Sequence, residues 1–506
     1  MGLLNSIISW TMKKRFHQME LFIKYPHEVQ REVLKSLLTR AQDTEFGKKH
    51  RFKSITRQDD FCKQVPVSTY EKFFPYIERV MKGEQNVTWI SDIHWFSKSS
   101  GTTNSKSKFI PVSAESLEDC HFKAGKDLLS VYVNNHPETK LFSGKGLMMG
   151  GTLYSNPHRN DSQIGDVSAV MMQNLPLWVE YMRVPDLTIA LMDNWEEKLD
   201  RMIKSTVHED ISSVSGVPTW TLVLFRKILE FTGKNHIQEV WPNLELLVHG
   251  GVDFKPYKQP FQNIISSPDM NFLETYNASE GFFGLQNEHG KDDMLLMLDY
   301  GIYYEFIPMQ EIENENPKTV TLDKVNCQEN YAMVISTNAG LWRYLIGDTI
   351  RFTSLSPYKI KLTGRTKNFI NAFGEELIVE NAETAICNAC LKTGAIVRDF
   401  TAAPLYFGDK TNGAHEWLIE FEVPPGDIDF FTYLLDDSLK QQNSDYETKR
   451  FKDIALKLPV LQILKNGVFN EWLKRGNKLG GQNKIPRLCN DRRFVEEILE
   501  IQKNIL

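Results

Sequence analysis

A run of hydroxyl, glycine and lysine residues at positions 97–108 suggests chemistry most directly. Its central residues are Ser99, Ser100, Gly101, Thr102 and Thr103. Backbone N–H groups and hydroxyls in such a loop can hold the oxygens of a polyphosphate, and Lys106 or Lys108 can add positive charge. The G-x-x-x-x-G-K-[ST] pattern of a P-loop is absent, and a solvated polar turn has the same composition.

A second segment, Glu274–Gly281, has an aromatic ring four residues before a carboxylate. The ring of Tyr276 can cover one face of a purine, while the carboxylate of Glu280 reaches a magnesium ion that keeps its phosphate ligands. A helix cap formed by Ser279 and Glu280 is the alternative interpretation of this segment.

Two later segments carry single charged residues close to glycine. In Trp342–Thr349, Asp348 follows Gly347 and is suited to accept hydrogen bonds from two ribose hydroxyls. In Gly480–Arg487, Lys484 lies on a glycine-rich tip, where a mobile ammonium can neutralise an α-phosphate or a carboxylate. An ordinary turn and an exposed loop are the respective alternatives.

Helix and strand patterns alternate through the part of the chain that must position the first two segments. Apolar residues recur at helical spacing after Pro26, which predicts a helix that ends before Gly47. An apolar strand, Leu246–Val248, leads towards Gly250 and Gly251. Alternation of this kind predicts an α/β fold.

The last third of the chain has a different pattern. A hairpin is predicted over residues 350–362, and a helix is predicted to end near Gly394. Alternating apolar and polar residues in Trp417–Val423 predict a strand with one buried face. Further elements are predicted at Leu405–Phe407, Asp427–Leu439 and Val460–Ile463. We therefore predict a large N-terminal domain with several sheets, residues 1–363, and a small mobile α+β domain, residues 364–506.

Composition and charge restrict the class of protein. The 506 residues are 41% hydrophobic, enough for a large core, and the formal net charge of −6 argues against a nucleic-acid or anionic-membrane partner. No apolar run is long enough for a membrane span, and the start of the chain lacks the basic region of a signal peptide. Six irregularly spaced cysteines fit a reducing cytoplasm. Cys387 and Cys390 are predicted to lie on a helix, with no metal bound.

In their order along the chain, these segments together with Gly364-Arg365 resemble the adenylate-forming superfamily. Within it, the chain most resembles the acyl-acid amido synthetases of the auxin-responsive Gretchen Hagen family, particularly their bacterial members. The closer resemblance rests on Ser99–Val112, Val214–Trp220, Val240–Tyr257, Tyr344–Asp348 and Gln482–Arg487. It covers nearly the whole chain and implies a large adenylate-forming domain followed by a small lid domain.

The resemblance implies a role for each matching residue. ATP phosphates would be held by the loop residues Ser99, Ser100, Gly101, Thr102 and Thr103. Adenine would be lined by Gly250, Gly251 and Val252, with Tyr276 against it. Glu280 would bind Mg²⁺, and Asp348 the ribose with help from Arg365. Lys484 would be the catalytic lysine of the small domain. Thr366-Lys367-Asn368 stands where many relatives have an acidic pair, so the hinge residue is not assigned.

The implied reaction is ATP-dependent adenylation of a carboxylic acid, followed by acyl transfer to an amine, perhaps an amino acid, with release of AMP and pyrophosphate. A ligase that uses coenzyme A as acceptor shares the first step and is the main alternative, followed by a nucleotide-binding protein without catalysis. Methionine and aromatic residues between His121 and Trp220 would suit an apolar acid. They are Met148, Met149, Met171, Met172, Trp178 and Tyr181.

Overall fold

The structure is a computed structural model that describes residues 15–102, 105–252, 254–312, 314–366, 369–408, 412–475 and 485–504. Two of the predicted site residues, Thr103 and Lys484, lie outside the described residues. The molecule is a mixed α/β fold with a large N-terminal part that contains two sheets and a smaller C-terminal part. The predicted fold class is therefore confirmed.

Helices cover the sheets of the N-terminal part. They are α1 (Pro26–Ala41), α2 (Glu45–Lys49), α3 (Gln58–Gln64), α4 (Tyr70–Met81), α5 (Ala114–Ser116), α6 (Lys123–Asn135), α7 (Val167–Gln173), α8 (Leu177–Tyr181), α9 (Leu187–Ala190), α10 (Trp195–Thr206), α11 (Pro218–Thr232) and α12 (Lys255–Ile264). Helix α1 has Pro26 in its first turn, where a missing N–H is tolerated, and it buries Leu34, Leu37 and Leu38. The helix predicted after Pro26 is confirmed.

One sheet of eleven strands runs through the N-terminal part, in the order β12-β13-β14-β15-β11-β10-β9-β8-β7-β3-β6. Beside it lies a sheet of four strands, β2-β1-β5-β4. Their bounds are β1 (Trp95–Thr102), β2 (Ser105–Val112), β3 (Lys145–Met148), β4 (Leu153–Ser155), β5 (Gln163–Gly165), β6 (Arg183–Val184), β7 (Ile211–Ser215), β8 (Leu246–Gly250), β9 (Asn271–Ala278), β10 (Gly281–Leu285), β11 (Met294–Leu296), β12 (Ile302–Pro308), β13 (Asn330–Thr337), β14 (Tyr344–Leu355) and β15 (Tyr358–Arg365).

The large sheet changes character at β9. Strands β6, β3, β7, β8 and β9 pair in parallel, whereas β9 pairs with β10 in antiparallel fashion and the sheet continues so to β12. The hairpin predicted over residues 350–362 is the turn between β14 and β15. The boundary predicted between residues 363 and 364 falls near the end of β15 and stays a prediction.

The C-terminal part contains a small sheet between two layers of helices. Its elements are β16 (Phe369–Ile370), β17 (Leu377–Ile378), α13 (Val379–Thr393), β18 (Ile396–Leu405), β19 (Ala414–Val423), α14 (Ile428–Gln442), α15 (Ser444–Arg450), β20 (Val460–Leu464), α16 (Val468–Arg475) and α17 (Arg493–Asn504). Strands β18, β19 and β20 form the small sheet, and β16 and β17 form a separate hairpin. Cys387 and Cys390 lie on α13, as predicted, and are free thiols.

A different hydrophobic core lies on each face of the small sheet. The shared core joins helices α10 to α12 to the C-terminal part, where it includes Phe373 and Trp417. The outer core contains only C-terminal residues, among them Leu418, Trp472 and Ile485. One face of the small sheet is therefore continuous with the N-terminal part, and the other is covered by α16 and α17.

The strand predicted at Trp417–Val423 differs from its prediction. It forms the middle strand β19, and both of its faces are buried: Trp417 and Ile419 lie in the shared core, and Leu418 lies in the outer core. Val423, predicted to be buried, is 43% exposed. Polar residues in this strand do not mark an exposed face, because Glu416 and Glu420 are buried. Glu416 accepts a hydrogen bond from Arg492, and Glu420 accepts one from the backbone N–H of Gly467.

Within the described ranges, no helix has both the length and the apolar character needed to cross a bilayer.

Candidate active site

The carboxyl ends of the parallel strands β8 and β9 bring two predicted segments together. Gly250 ends β8 and pairs with Thr275 of β9, so that Tyr276 follows directly beside it. A Cβ at Gly250 would collide with the carbonyl oxygen of Thr275, which explains why glycine is needed there. Gly251 has φ +83°, the left-handed region that favours glycine. The glycine pair thus lets the chain leave β8 close to β9.

Asp348 is the centre of a buried hydrogen-bonded cluster. Its Oδ2 accepts from the Tyr276 hydroxyl at 2.7 Å, and its Oδ1 accepts from Arg365 Nε at 2.8 Å. Asp348 and Arg365 are directly opposite each other in the β14–β15 pair, whereas Tyr276 comes from β9. Asp348 lies within a strand, so the alternative interpretation of Gly347-Asp348 as an ordinary turn is wrong.

A carboxylate has room for about four hydrogen bonds, so two occupied positions leave acceptor capacity for two ribose hydroxyls. Asp348 is only 8% exposed, and its orientation is fixed from both sides before any ligand arrives. A fixed acceptor loses little freedom on binding.

Tyr276 contributes to this cluster through its hydroxyl rather than through an exposed ring. The ring is 4% exposed and packs against Phe283, with ring centroids 4.9 Å apart. Burial raises its pKa well above the ordinary value, and the Asp348 carboxylate raises it further. The hydroxyl is therefore a permanent donor to Asp348. The stacking of Tyr276 on adenine stays a prediction.

Glu280 lies in the turn between β9 and β10, beyond Tyr276. No helix begins there, so the alternative of a helix cap at Ser279 and Glu280 is wrong. Desolvation raises the pKa of the Glu280 carboxyl, the Lys108 ammonium lowers it in part, and the Asp348 carboxylate raises it again. The net effect is that the pKa of the Glu280 carboxyl is raised above its usual value.

The polar run at positions 97–108 forms the β1–β2 hairpin. Ser99 is opposite Lys108 in this antiparallel pair, so both side chains lie on the same face. The backbone of Ser100, Gly101 and Thr102 continues β1 towards the turn. The prediction of an irregular loop is therefore wrong for Ser99 to Thr102: serine and threonine pair well across strands, and composition alone did not reveal their partners in β2.

Lys108 connects this hairpin to Glu280. Its ammonium lies 5.9 Å from the ring centroid of Tyr70, and the Tyr70 hydroxyl accepts from the backbone N–H of Phe109 at 2.9 Å. Tyr70, at the start of α4, thus fixes the hairpin beside Glu280. The sequence left Lys106 and Lys108 as alternatives. The Lys108 charge acts on the Glu280 carboxyl, and which lysine contacts phosphate stays open.

The C-terminal part reaches the cluster through the turn of the β16–β17 hairpin. Arg365 Nη2 donates to Glu376 Oε1 at 2.7 Å. Asn371 Nδ2 donates to the carbonyl oxygen of Gly251 at 3.0 Å. Neither Asn371 nor Glu376 was identified from the sequence, although a glycine followed by two glutamates shortly after Arg365 is a visible signal.

Val252 and His249, on either side of the glycine pair, face the interior. Val252 is buried in the shared core. His249 is 3% exposed, its ring stacks on Phe254 with centroids 3.9 Å apart, and burial lowers its pKa to about 3. His249 is therefore neutral at physiological pH.

The predicted wall of methionine and aromatic residues is only partly buried. Met172 packs against the position of Gly150, and Met149 packs against Thr221 of α11. Tyr181 is 83% exposed, so it forms no part of a buried wall.

A stacked tryptophan pair lies next to this region, between the two parts of the molecule. Trp195 and Trp220 are parallel within 6°, with ring centroids 4.1 Å apart. Lys198 Nζ lies 4.5 Å from the Trp195 ring and donates to the carbonyl oxygen of Gly150 at 2.5 Å, and burial lowers its pKa to about 8. Lys449, from the C-terminal part, lies 6.0 Å from the Trp220 ring.

The chemistry of the donor set is compatible with magnesium. No group of three or more His, Cys, Asp or Glu side chains that could hold a metal ion occurs among the described residues. Mg²⁺ commonly takes only one or two protein carboxylates and completes its shell with phosphate oxygens and water. Glu280, a carboxylate with a raised pKa beside the β1–β2 hairpin, fits that pattern.

The chain matches three parts of one protein family. Residues 15–270 match the GH3 family N-terminal domain, residues 295–365 the GH3 family central domain and residues 380–493 the GH3 family C-terminal domain.

Relatives with assigned activities match along most of their length. Indole-3-acetic acid-amido synthetase GH3.3 of Arabidopsis thaliana is 24% identical, with 93% of this chain and 91% of the relative covered. Jasmonoyl–L-amino acid synthetase JAR4 of Nicotiana attenuata is 24% identical, with 66% of this chain and 68% of the relative covered.

Solved structures share the fold. AtGH3.15 acyl acid amido synthetase in complex with 2,4-DB superimposes with a TM-score of 0.62 at 17% identity, covering 97% of this chain and 96% of that one. The 2-hydroxyisobutyryl-CoA ligase in complex with 2-HIB-AMP and CoA gives a TM-score of 0.59 at 11% identity, covering 95% and 93%. With all three domains matched in order over most of its length, the chain belongs to the GH3 family.

Proposed function

We propose that this protein is an ATP-dependent acyl-acid amido synthetase, which activates a carboxylic acid as an acyl-adenylate and transfers the acyl group to an amino acid. The observation that carries the proposal is the joining of Tyr276, Asp348 and Arg365 in one buried cluster beside Glu280 and Lys108. Membership of the GH3 family supports it, because relatives are named indole-3-acetic acid-amido synthetase and jasmonoyl–L-amino acid synthetase.

ATP binding follows from what each group of residues can donate or accept. Asp348, held by Tyr276 and Arg365, accepts hydrogen bonds from the ribose hydroxyls. The segment Gly250–Val252 lines the adenine. Hydroxyl and backbone donors of Ser99 to Thr103 hold the phosphates, with Lys108 supplying positive charge. Lys484 neutralises charge at the α-phosphate.

Glu280 is the proposed protein ligand of Mg²⁺, which would neutralise charge on the phosphates of bound ATP. The carboxylate has a raised pKa because desolvation disfavours its charge, and a cation nearby relieves that cost. Glu280 therefore orients the triphosphate without taking part in bond formation.

The reaction has two balanced steps. An oxygen of the substrate carboxylate attacks the α-phosphorus of ATP in line, and the bond from that phosphorus to the bridging oxygen breaks, so that pyrophosphate leaves. The amino nitrogen of the acceptor then attacks the acyl carbon, AMP leaves with the bonding electron pair, and the nitrogen loses a proton. Positioning and charge neutralisation by the protein supply the rate enhancement.

The division into domains at residues 363 and 364 remains part of the proposal, with the second domain acting as a lid that rotates between the two steps. A reducing cytoplasm remains the proposed location, supported by six free cysteines.

A pyrophosphate–ATP exchange assay tests the first step. We expect exchange with at least one acid from a panel of indole-3-acetate, jasmonate, 2,4-DB and substituted benzoates. Lys484→Ala should lower that exchange by about a hundredfold or more. If no acid of this panel or of a broader library trapped with hydroxylamine supports exchange, the proposed function is wrong.

Product mass tests the second step. With the active acid, ATP and the proteinogenic amino acids, we expect an amide together with AMP. If a thioester forms with coenzyme A and no amide forms with any amino acid, the protein is instead an acyl-CoA ligase, which shares the adenylation step.

A further inference from the structure

A short segment after β3, residues 149–152, carries the chain from the large sheet to β4 of the four-stranded sheet. This crossing segment begins beside the ends of two other parallel strands. The backbone N–H of Met149 donates to the carbonyl oxygen of Ser215 at 3.2 Å, at the end of β7. The N–H of Gly216 in turn donates to the carbonyl oxygen of Val248 in β8 at 3.1 Å. The crossing segment therefore starts at the same sheet edge as the glycine pair that ends β8.

The crossing segment lies between the two groups of proposed nucleotide-binding residues. In the large sheet, β3 is two strands away from β8, which ends at the proposed adenine site. In the four-stranded sheet, β4 is two strands away from β1, which carries the proposed phosphate-binding residues. Neighbouring strands are about 4.8 Å apart, so each group lies roughly 10 Å away. The α-phosphate joins the ribose to the other phosphates, and the acid that attacks it must enter the same space.

Lys198 holds the crossing segment from one side. This residue of α10 is fully buried, and its Nζ donates to the carbonyl oxygens of Gly150 at 2.5 Å and of Gly151 at 3.2 Å. The ring of Trp195 lies 4.5 Å from the same ammonium. Burial lowers the pKa of Lys198 to about 8, so the side chain is charged at pH 7 and both hydrogen bonds are charge-assisted.

Two residues at the start of α7 hold the crossing segment from the other side. Ser168 Oγ accepts from the backbone N–H of Gly151 at 3.1 Å. Asp166 Oδ2 accepts from the backbone N–H of Thr152 at 2.6 Å. Both the carbonyl oxygen and the N–H of Gly151 are thus bonded to side chains, which fixes the orientation of the backbone at this point.

The charge on Lys198 is costly where it lies. Desolvation of an ammonium disfavours its charged form, and two carbonyl oxygens and one ring offset only part of that cost. A methionine of similar length would avoid the cost but would leave both carbonyl oxygens without their donor. What lysine contributes over an apolar residue is therefore the position of the crossing segment.

We propose that Lys198 is a positioning residue for the acid substrate, because it holds the crossing segment in place as a wall of the acid subsite. The proposal rests on the proposed function, since it assigns this wall to the acid that is adenylated. Lys198 acts through Gly150 and Gly151 and not on a reacting atom. Its loss should therefore weaken binding of the acid and leave binding of ATP unchanged.

Two variants loosen the crossing segment from opposite sides. Lys198→Met keeps the length of the side chain and removes the donor to both carbonyl oxygens. Ser168→Ala removes one acceptor and is the milder change. Lys204→Met is the matched control, because Lys204 lies on the same helix as Lys198 and its side chain, paired with Asp200, is 59% exposed.

Pyrophosphate–ATP exchange is measured with the acid from the panel that gives the fastest rate, first against acid and then against ATP. We expect the KM for the acid to rise about tenfold in Lys198→Met and about threefold in Ser168→Ala. The KM for ATP should stay within about twofold of the unmodified protein in both variants. Lys204→Met should change neither constant. Urea denaturation establishes that each variant is folded.

An unchanged KM for the acid in both variants would overturn the proposal. An equal rise of both constants would also overturn it, because that is the result expected if Lys198 only stabilises the fold. If Lys198→Met does not fold, the same two outcomes in Ser168→Ala decide. Failure of the proposed function is a different result, since the unmodified protein itself would then show no exchange with any acid.

Discussion

Asp348 and Glu280 are two carboxylates beside the same predicted nucleotide, and their surroundings differ. Asp348 accepts hydrogen bonds from the Tyr276 hydroxyl and from Arg365. Glu280 has a raised pKa because desolvation outweighs the help it receives from Lys108. The protein itself supplies two hydrogen bonds to the first carboxylate, whereas the second is the proposed ligand of a cation. If the proposal is right, a carboxylate that organises the fold and one that binds a metal can be distinguished by their partners.

The largest effect is expected from Glu280→Gln. Exchange activity should fall by about a hundredfold or more, because the neutral amide is a poor magnesium ligand. The free energy of unfolding should stay the same or rise, because an amide removes a charge that the folded state disfavours. Exchange and urea denaturation of Glu280→Gln are compared with Glu78→Gln, a control on an exposed pair with Lys82. Full activity in Glu280→Gln would exclude Glu280 as the ligand.

Asp348→Asn, unlike Glu280→Gln, should lower the stability of the protein. The free energy of unfolding should fall by about 1–3 kcal/mol, because Arg365 loses a charge-assisted hydrogen bond in a partly buried site. The KM for ATP should also rise about ten- to a hundredfold as the ribose loses its acceptor. Denaturation and the ATP dependence of exchange measure the two effects. Loss of activity with unchanged stability would contradict the contrast with Glu280.

The pH dependence of magnesium binding sharpens the contrast further. Magnesium requires the deprotonated carboxylate, and the pKa of Glu280 is raised, so protons compete at a higher pH than for a free glutamate, with its pKa of about 4.3. As pH falls through that raised pKa, apparent magnesium affinity should drop towards a limit of about tenfold per pH unit. Exchange measured at several magnesium concentrations from pH 8 to pH 5 provides the test. The residual activity of Glu280→Gln should lack this dependence.

The smallest effect is expected from Tyr276→Phe. It removes one hydrogen bond to Asp348 but keeps the ring against Phe283, so the free energy of unfolding should fall by about 1 kcal/mol. The KM for ATP should rise only a few-fold, since Arg365 still fixes Asp348. A loss as large as that of Asp348→Asn would mean that the Tyr276 hydroxyl, rather than Arg365, determines the position of the carboxylate.

Local sequence patterns predicted the elements whose formation depends on residues close together in the chain. The apolar spacing after Pro26, the hairpin over residues 350–362 and the glycine after α13 each depend on residues close together in the chain, and each appears in the structure. The candidate site residues were predicted from the order of their motifs along the chain, through the family resemblance.

Contacts across long stretches of chain were not predictable in this way. The hydrogen bond from Tyr276 to Asp348 joins β9 to β14, two strands that are not neighbours in the sheet. The partners of Ser99 in β2 and the burial of both faces of β19 likewise depend on pairing that no local pattern encodes. Asn371 and Glu376 were not identified from the sequence, because the role of an amide or a carboxylate in a short turn depends on the residues that the turn contacts.

The stacked rings of Trp195 and Trp220 give the protein an optical property. Indole emission responds to a nearby ammonium, and the Trp220 ring lies against Lys449 of the C-terminal part. If the C-terminal part rotates between the two steps, Lys449 leaves that ring while Lys198 remains over Trp195. Domain motion would then produce a change in intrinsic fluorescence during a single turnover, without any added label.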